Sequence, residues 1–495
     1  MNPIVRPPCG PIQGRIKEDT LLFAGIPYAQ APRGDLRFKA PQPIPPFADT
    51  LAALRFGPAA PQTVTGGLTG ATVARWDEDC LTLNISAPLT AIEPGDRAER
   101  AVLVWIHGGG YRTGQGAVPW YNGTRFARDA DIVVVTINYR LGALGFADLS
   151  SLGEAYATSG FNGTLDQIAA LSWVKDNIGA FGGDPDRVTV AGESAGGFSV
   201  ATLLAANQAQ GLFQRAIPQS GAGHHTLPRE AALQVTQQFL HELADPRGER
   251  LLSVPAEDIL AAQQRTIAHF EHEALGANAL GVSVPPFYPV HGTSLLPLSP
   301  IDAISAGMGS QVAVLTGSNA DETTLWGFGE VDDGKLNRMA GSLGAAATLN
   351  TYRKTRPDAD AQALLIALTS DHLFRIPGIR LAEARFEAQA ATWMYLFNWR
   401  SRAFGGKLGA THALEIPFVF NNLDRAGVDV FLGPGDSPQH LANEMHQAWC
   451  RFIKEGDPGW PAYDPHHRAT MSFDHKPRLV NDPAASERLA WEGLR

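Results

Sequence analysis

The stretch that most constrains the fold is residues 192–197, Gly-Glu-Ser-Ala-Gly-Gly. Residues 188–191 before it are typical of a buried strand, and residues 198–204 after it are typical of a helix. A sharp turn between strand and helix, with a glycine on each side of the serine, projects the Ser194 hydroxyl outward. The glycines are needed because a β-carbon there would collide with the neighbouring strand or helix. The helix N-terminus would then favour negative charge near Ser194.

Other apolar runs of strand length lie at 101–106, 132–137, 213–219, 311–316 and 391–397. Runs without alternation indicate strands covered on both faces, as in a mostly parallel central sheet flanked by helices. Helices are predicted at 164–178 and 441–455, the second followed by a polar tail. Roughly 228–290 is interpreted as a helical insertion over the edge of the sheet and the site. Residues 1–495 are therefore predicted to form a single α/β domain.

The composition is that of an ordinary globular protein, with 44% hydrophobic residues and a net charge of −10. This charge argues against a nucleic-acid partner or an anionic membrane partner. No apolar run approaches the ~18 residues of a membrane span, and no leader pattern is visible, which favours a cytoplasmic location. Cys9, Cys80 and Cys450 lie far apart and are odd in number, so no disulfide framework is predicted.

A nucleophilic serine needs a base and an orienting acid, which in such a sheet follow later strands in the order serine, acid, histidine. Asp321 and Glu322 follow the strand at 311–316, and the pattern alone does not choose between them. His412 ends a glycine-rich loop that follows the strand at 391–397. It is therefore the candidate base.

A second glycine-rich loop, residues 107–110, directly follows the strand at 101–106. Consecutive glycines allow the backbone amides of Gly109 and Gly110 to point into one concavity, which the amide of Ala195 would join. Such donors would form an oxyanion hole. A phosphate loop is disfavoured because no Gly-Lys-Ser/Thr follows, and an inert glycine turn is the remaining alternative.

Several other residues are weaker candidates for a functional role. His269, His272 and Glu273 have helical spacing that could imitate a metal site, but no H-E-x-x-H motif occurs and a solvated helix face is favoured. No metal and no cofactor are therefore predicted. His224 and His225 follow the strand at 213–219, and their position alone indicates the border of the pocket. The candidate substrate-pocket residues are Tyr111, Glu193, His224, Phe270, Trp326 and Phe328.

From about residue 14 to 473 the chain resembles the type-B carboxylesterases, the cholinesterase-like family of α/β-hydrolases. The resemblance rests on several motifs besides 192–197. They are Gly-Ile-Pro-Tyr-Ala at 25–29, Glu-Asp-Cys-Leu-Thr-Leu-Asn at 78–84, Val-Trp-Ile-His-Gly-Gly-Gly at 104–110, Asn-Tyr-Arg-Leu-Gly at 138–142, Phe-Gly-Gly-Asp-Pro at 181–185 and Thr-His-Ala-Leu-Glu-Ile-Pro-Phe at 411–418. It implies the α/β-hydrolase fold.

The resemblance also implies residue roles. Ser194 would be the nucleophile, Glu322 rather than Asp321 the acid and His412 the base. Gly109, Gly110 and Ala195 would supply the oxyanion hole. Arg37 with Glu78, and Arg140 with Asp166, would be structural salt bridges. The family's glycine after the acid is Thr323 here, which could alter that loop, and Cys80 lacks the upstream partner of secreted relatives, so it is expected to be a free thiol.

The expected function is that of a serine carboxylesterase, which hydrolyses small-molecule esters through an acyl-enzyme. An amidase or a carbamate hydrolase on the same three residues is the alternative. A second alternative is a non-catalytic binding protein on this fold. Non-catalytic members of the family generally lack one or more of the three residues. Oligomeric state and substrate identity are not readable from the sequence.

Overall fold

An eleven-stranded mixed sheet forms the centre of the protein. The computed structural model describes residues 2–63, 75–93, 99–270 and 286–494. In chain order the strands are β1 Arg15–Lys17, β2 Thr20–Pro27, β3 Thr82–Pro88, β4 Arg100–Ile106, β5 Val133–Ile137, β6 Gly183–Glu193, β7 Arg215–Gln219, β8 Ala313–Asn319, β9 Thr392–Phe397, β10 Ala469–Phe473 and β11 Arg478–Asn481. Their order across the sheet is β11-β10-β9-β8-β7-β6-β4-β5-β3-β2-β1.

The centre of the sheet is parallel and its edges are antiparallel. Parallel pairing runs from β10 through β9, β8, β7, β6 and β4 to β5. Antiparallel pairs join β11 to β10 at one edge and β5, β3, β2 and β1 at the other. Every residue of β4 and of β5 is buried, as expected for apolar runs without alternation. The predicted mostly parallel sheet is thus confirmed.

Helices cover both faces of the sheet. They are α1 Thr124–Ala130, α2 Gly142–Phe146, α3 Asn162–Asn177, α4 Ala195–Ala205, α5 Arg229–Glu242, α6 Ala256–Phe270, α7 Pro300–Ser305, α8 Asp333–Ser342, α9 Ala346–Thr355, α10 Ala361–Ser370, α11 Ile376–Glu387, α12 Ile416–Val419, α13 Val428–Leu432, α14 Gln439–Glu455 and α15 Ala485–Leu489. Alternate residues of β4 face different cores: Val102 and Val104 face one, and Leu103 and Trp105 face the other. None of the helices in the described ranges has the length and apolar character to cross a bilayer.

Helices α5 and α6 occupy the described part of the segment interpreted as an insertion. Two short strands, Leu227–Pro228 and Val290–His291, pair in parallel and bring the two ends of this segment together. Arg37 anchors the connection between α5 and α6, because its guanidinium donates to the carbonyls of Leu251 and Val254. His272 and Glu273, considered above as metal ligands, lie outside the described residues.

Both salt bridges implied by the resemblance are present. Arg37 pairs with Glu78 at 2.5 Å, and Arg140 pairs with Asp166 at 2.6 Å, where both side chains are buried. Cys9, Cys80 and Cys450 are free thiols.

The predicted polar tail after 441–455 is wrong. The chain beyond α14 adds β10 and β11 to the sheet and ends in α15. The sequence hides this segment because β11 is an edge strand of only four residues, most of them exposed.

Candidate active site

Ser194 lies on the turn between β6 and α4 in a backbone conformation that L-residues rarely adopt, with φ 57° and ψ −124°. The flanking glycines allow close packing. A β-carbon on Gly192 would lie 2.6 Å from the Ile106 carbonyl oxygen, and one on Gly196 would lie 2.1 Å from it. These approaches are shorter than any real contact, so the sequence-based reason for both glycines holds.

The choice between the two neighbouring carboxylates is decided by their partners. Glu322 is fully buried, and its Oε2 lies 2.5 Å from Nδ1 of His412. Its Oε1 accepts from the Ser220 hydroxyl at 2.6 Å and from the Asn319 amide at 2.8 Å. Asp321 instead accepts from Arg400 at 2.7 Å and turns away from the imidazole. Glu322 is therefore the carboxylate joined to the candidate base.

Thr323, which stands where the family has glycine, does not displace Glu322. Its side chain is buried and its hydroxyl is 2.7 Å from that of Thr369, while its amide donates to the Ser370 hydroxyl at 3.2 Å. These bonds tie the loop of the acid to the end of α10.

His412 has a carboxylate beside each ring nitrogen. Nε2 lies 3.1 Å from Oε1 of Glu193, the residue that precedes Ser194. Within the described residues this Oε1 accepts no hydrogen bond, so the contact is electrostatic rather than directed. A hydrogen bond from the Ser194 hydroxyl is not among the described contacts of His412. The turn between β6 and α4 thus brings Glu193, the neighbour of Ser194, to the imidazole.

The carboxylates and burial shift the pKa values of this cluster. Burial lowers the pKa of His412, but the charges of Glu193 and Glu322 outweigh it and raise that pKa to about 9. Burial raises the pKa of Glu193 to about 8, opposed by the charge of His412. The two pKa values are coupled, because the charge of each group acts on the other.

The glycine loop after β4 lies against the turn that carries Ser194. A β-carbon on Gly108 would be 3.1 Å from the β-carbon of Ser194. Gly109 and Gly110 have φ values of 108° and 61°, and in the described part of the chain their amides donate to no backbone carbonyl. Ala195 is the first residue of α4, so its amide has no intrahelical acceptor. In the described residues, none of the three amides is thus paired with a backbone carbonyl.

His107, at the start of that loop, is not a second base. It is buried and stacks on Tyr139 with ring centroids 4.6 Å apart. Burial lowers its pKa to about 4. It therefore stays neutral and serves to hold the loop.

Only two of the six candidate pocket residues have described contacts with the imidazole. Glu193 is one. Trp326 is the other, with its ring centroid 5.2 Å from that of His412. Tyr111 is fully buried and packs on Phe146, and Phe270 packs on His269 at the end of α6.

The remaining two candidate pocket residues are Phe328 and His224. Phe328 packs with the cluster formed by α8 to α11. His224 is half-buried on the loop after β7.

Sequence reasoning missed Phe374 and Glu415. The ring of Phe374 lies 4.9 Å from that of His412, and no motif or periodicity marks it. Glu415 is fully buried and accepts from Asn319 at 2.7 Å and from Gln219 at 3.0 Å. Burial raises its pKa to about 7. Its position three residues after His412 was the available signal.

Comparison with known proteins identifies the family and the fold of the chain. The model of the carboxylesterase family matches residues 1–491. The para-nitrobenzyl esterase of Bacillus subtilis is 38% identical over 98% of this chain and 97% of its own length. The phenmedipham hydrolase of Pseudarthrobacter oxydans is 35% identical, covering 93% of each chain. The crystal structure of the Geobacillus stearothermophilus carboxylesterase superposes with a TM-score of 0.86 at 37% identity, over 99% of this chain and 100% of that one. The α/β-hydrolase fold is confirmed.

Proposed function

Since the chain belongs to the carboxylesterase family and is a carboxylic-ester hydrolase, we propose that Ser194 is its nucleophile, His412 its base and Glu322 its orienting acid. The observation that carries the proposal is the 2.5 Å contact between Glu322 and Nδ1 of His412 beside the strained serine turn. A carboxylate on Nδ1 fixes the tautomer that leaves Nε2 free to accept a proton.

The chemistry follows from these positions. Nε2 of His412 takes the proton of the Ser194 hydroxyl as the oxygen attacks the acyl carbon. The Ser194 hydroxyl and Nε2 of His412 have to come within hydrogen-bond distance when ester is bound, since catalytic hydrogen bonds often form fully only in the complex with substrate. The amides of Gly109, Gly110 and Ala195 stabilise the oxyanion, each by about 2.7–4 kcal/mol. His412 then protonates the leaving alcohol, and a water that it activates releases the acid.

We also propose that residues 1–495 act as a single catalytic domain, because strands from both halves of the sheet supply residues of the site. The substrate partner is a small-molecule ester. An amidase or carbamate hydrolase on the same residues stays the alternative, and the cytoplasmic location stays a prediction.

Ser194→Ala is the direct test. The substitution removes only the hydroxyl, so the variant is expected to fold and to lose several orders of magnitude in kcat on p-nitrophenyl acetate. Labelling with an organophosphate provides the matched readout, since wild type reacts at one site and the variant does not. Full esterase activity in a pure preparation of the variant would overturn the assignment. Ester, amide and carbamate substrates with the same acyl group separate the alternatives.

A further inference from the structure

A single π-helical turn, Asp371–Arg375, joins α10 to α11. Such turns are rare and frequently occur at functional sites. This one carries Phe374, which is 4% exposed and whose ring packs on His412 with centroids 4.9 Å apart. The turn therefore delivers one aromatic side chain to the face of the candidate base.

Phe374 contacts both the candidate active site and a small cavity. On the side of the site it meets Trp326, with centroids 5.9 Å apart, and lies nearly parallel to Phe198, 6.2 Å away. It also lines a small cavity of about 20 Å³. Apolar and charged residues both line this cavity, among them Ile379, Met394 and Leu396 on one hand and Arg375, Arg468, Asp482 and Arg488 on the other. Phe374 therefore contacts both this cavity and the imidazole of His412.

A buried ion pair fixes the turn that carries Phe374. Arg375 donates from Nε and Nη2 to the two oxygens of Asp371, both at 2.6 Å. The hydroxyl of Tyr352 also donates to Asp371. Asp371 and Arg375 are the first and last residues of the turn, so their pairing holds its two ends together.

The C-terminal segment, residues 483–491, closes over this pair. Arg375 donates to the carbonyl of Pro483 at 3.0 Å, and the indole of Trp491 donates to the Tyr352 hydroxyl at 2.9 Å. Trp491 is buried and also packs on His372, with centroids 5.2 Å apart. Hydrogen bonds thereby connect the C-terminal segment to Asp371 and to Arg375, the residue next to Phe374.

We propose that Phe374 determines the size of the ester group admitted beside His412, and that the Asp371–Arg375 pair, held by the C-terminal segment, positions it. The proposal rests on the proposed function, because it concerns the substrate of the same site. Phe374 is the specificity-determining residue. Tyr352 acts only through the turn and is a positioning residue.

The test of Phe374 compares wild type, Phe374→Leu and Phe374→Ala on two substrate series. One series lengthens the acyl group of p-nitrophenyl esters from acetyl to decanoyl, and the other enlarges the alcohol of acetate esters from methanol to benzyl alcohol. In one of the two series, the ratio of kcat/KM for the largest over the smallest member is expected to rise by about tenfold or more in Phe374→Ala, with a smaller rise in Phe374→Leu. Unchanged ratios, or equal rises in both series, would overturn the proposal. If Phe374→Ala does not fold, the Leu variant alone decides.

The test of positioning uses Tyr352→Phe, which removes one hydroxyl from the contacts of the pair. The selectivity ratio is expected to move in the direction seen for Phe374→Leu, through KM for the larger esters, while kcat on the smallest stays within about twofold. Tyr28→Phe is the matched control, since it removes another buried tyrosine hydrogen bond, to the Asn138 carbonyl at 2.6 Å. An equal change of selectivity in both variants, or none in Tyr352→Phe, would refute the positioning role.

The two proposals fail in different ways. Retained activity in Ser194→Ala defeats the proposed function whatever the selectivity of the Phe374 variants. If Ser194→Ala is inactive and the Phe374 ratios do not move, only the further inference is lost.

Discussion

Replacing Glu322 by glutamine, with Asp321→Asn as control, tests the assignment of the acid at two adjacent positions. Both changes convert a carboxylate to an amide of the same size. The Glu322 oxygens face three donors, from Ser220, Asn319 and His412. A glutamine offers one oxygen and one NH₂ group, so at least one of these donors is left facing another donor.

The expected loss is large at one position and small at the other. A mispaired amide favours the wrong histidine tautomer, which costs about 10⁴ in kcat, or about 5.4 kcal/mol of transition-state stabilisation. Asp321 accepts from Arg400, which is 64% exposed, and from the Ala410 amide. Losing that surface ion pair is worth about 1 kcal/mol or less. The kcat of Asp321→Asn is therefore expected to stay within about tenfold of wild type.

Steady-state kinetics on p-nitrophenyl acetate measure the effect, with thermal unfolding as the check that both variants fold. The structural argument is refuted if Asp321→Asn loses as much kcat as Glu322→Gln. It is equally refuted if Glu322→Gln retains kcat within tenfold of wild type.

Three further predictions concern other contacts. Glu193→Gln removes a negative charge that raises the pKa of His412. Because the neutral imidazole is the active form, the acidic limb of the pH profile of kcat/KM should move to lower pH by about 1–3 units. A move of that limb to higher pH would contradict this prediction. Gly109→Ala places a β-carbon 2.2 Å from the Thr113 carbonyl oxygen at a φ of +108°. The displaced loop should lower kcat by about 10²–10³ with little change in KM. A wild-type kcat would show that this loop is not needed for catalysis. Arg140→Ala leaves the fully buried Asp166 without its cation, which should lower the free energy of unfolding in urea by about 3–5 kcal/mol; an unchanged midpoint would contradict the structural role.

The sequence determined the features that depend on local geometry. Residues 192–197 require a strand, a tight turn and a helix because the glycines leave room where the Ile106 carbonyl approaches. The apolar runs that became β4 and β5 indicated strands buried on both faces, and every residue of both strands is buried. These properties follow from side-chain size and period over a few residues, so the pattern is sufficient to predict them.

The tertiary structure alone decided which side chains meet. Asp321 and Glu322 are indistinguishable by pattern, and the motif resemblance favoured one of them. Their partners differ because successive side chains leave the loop in different directions, toward His412 in one case and Arg400 in the other. The contact of Phe374 with the imidazole joins residues far apart in the chain, and it depends on a π-helical turn held by the C-terminal segment. Contacts of this kind are set by how distant elements pack, which no local period encodes.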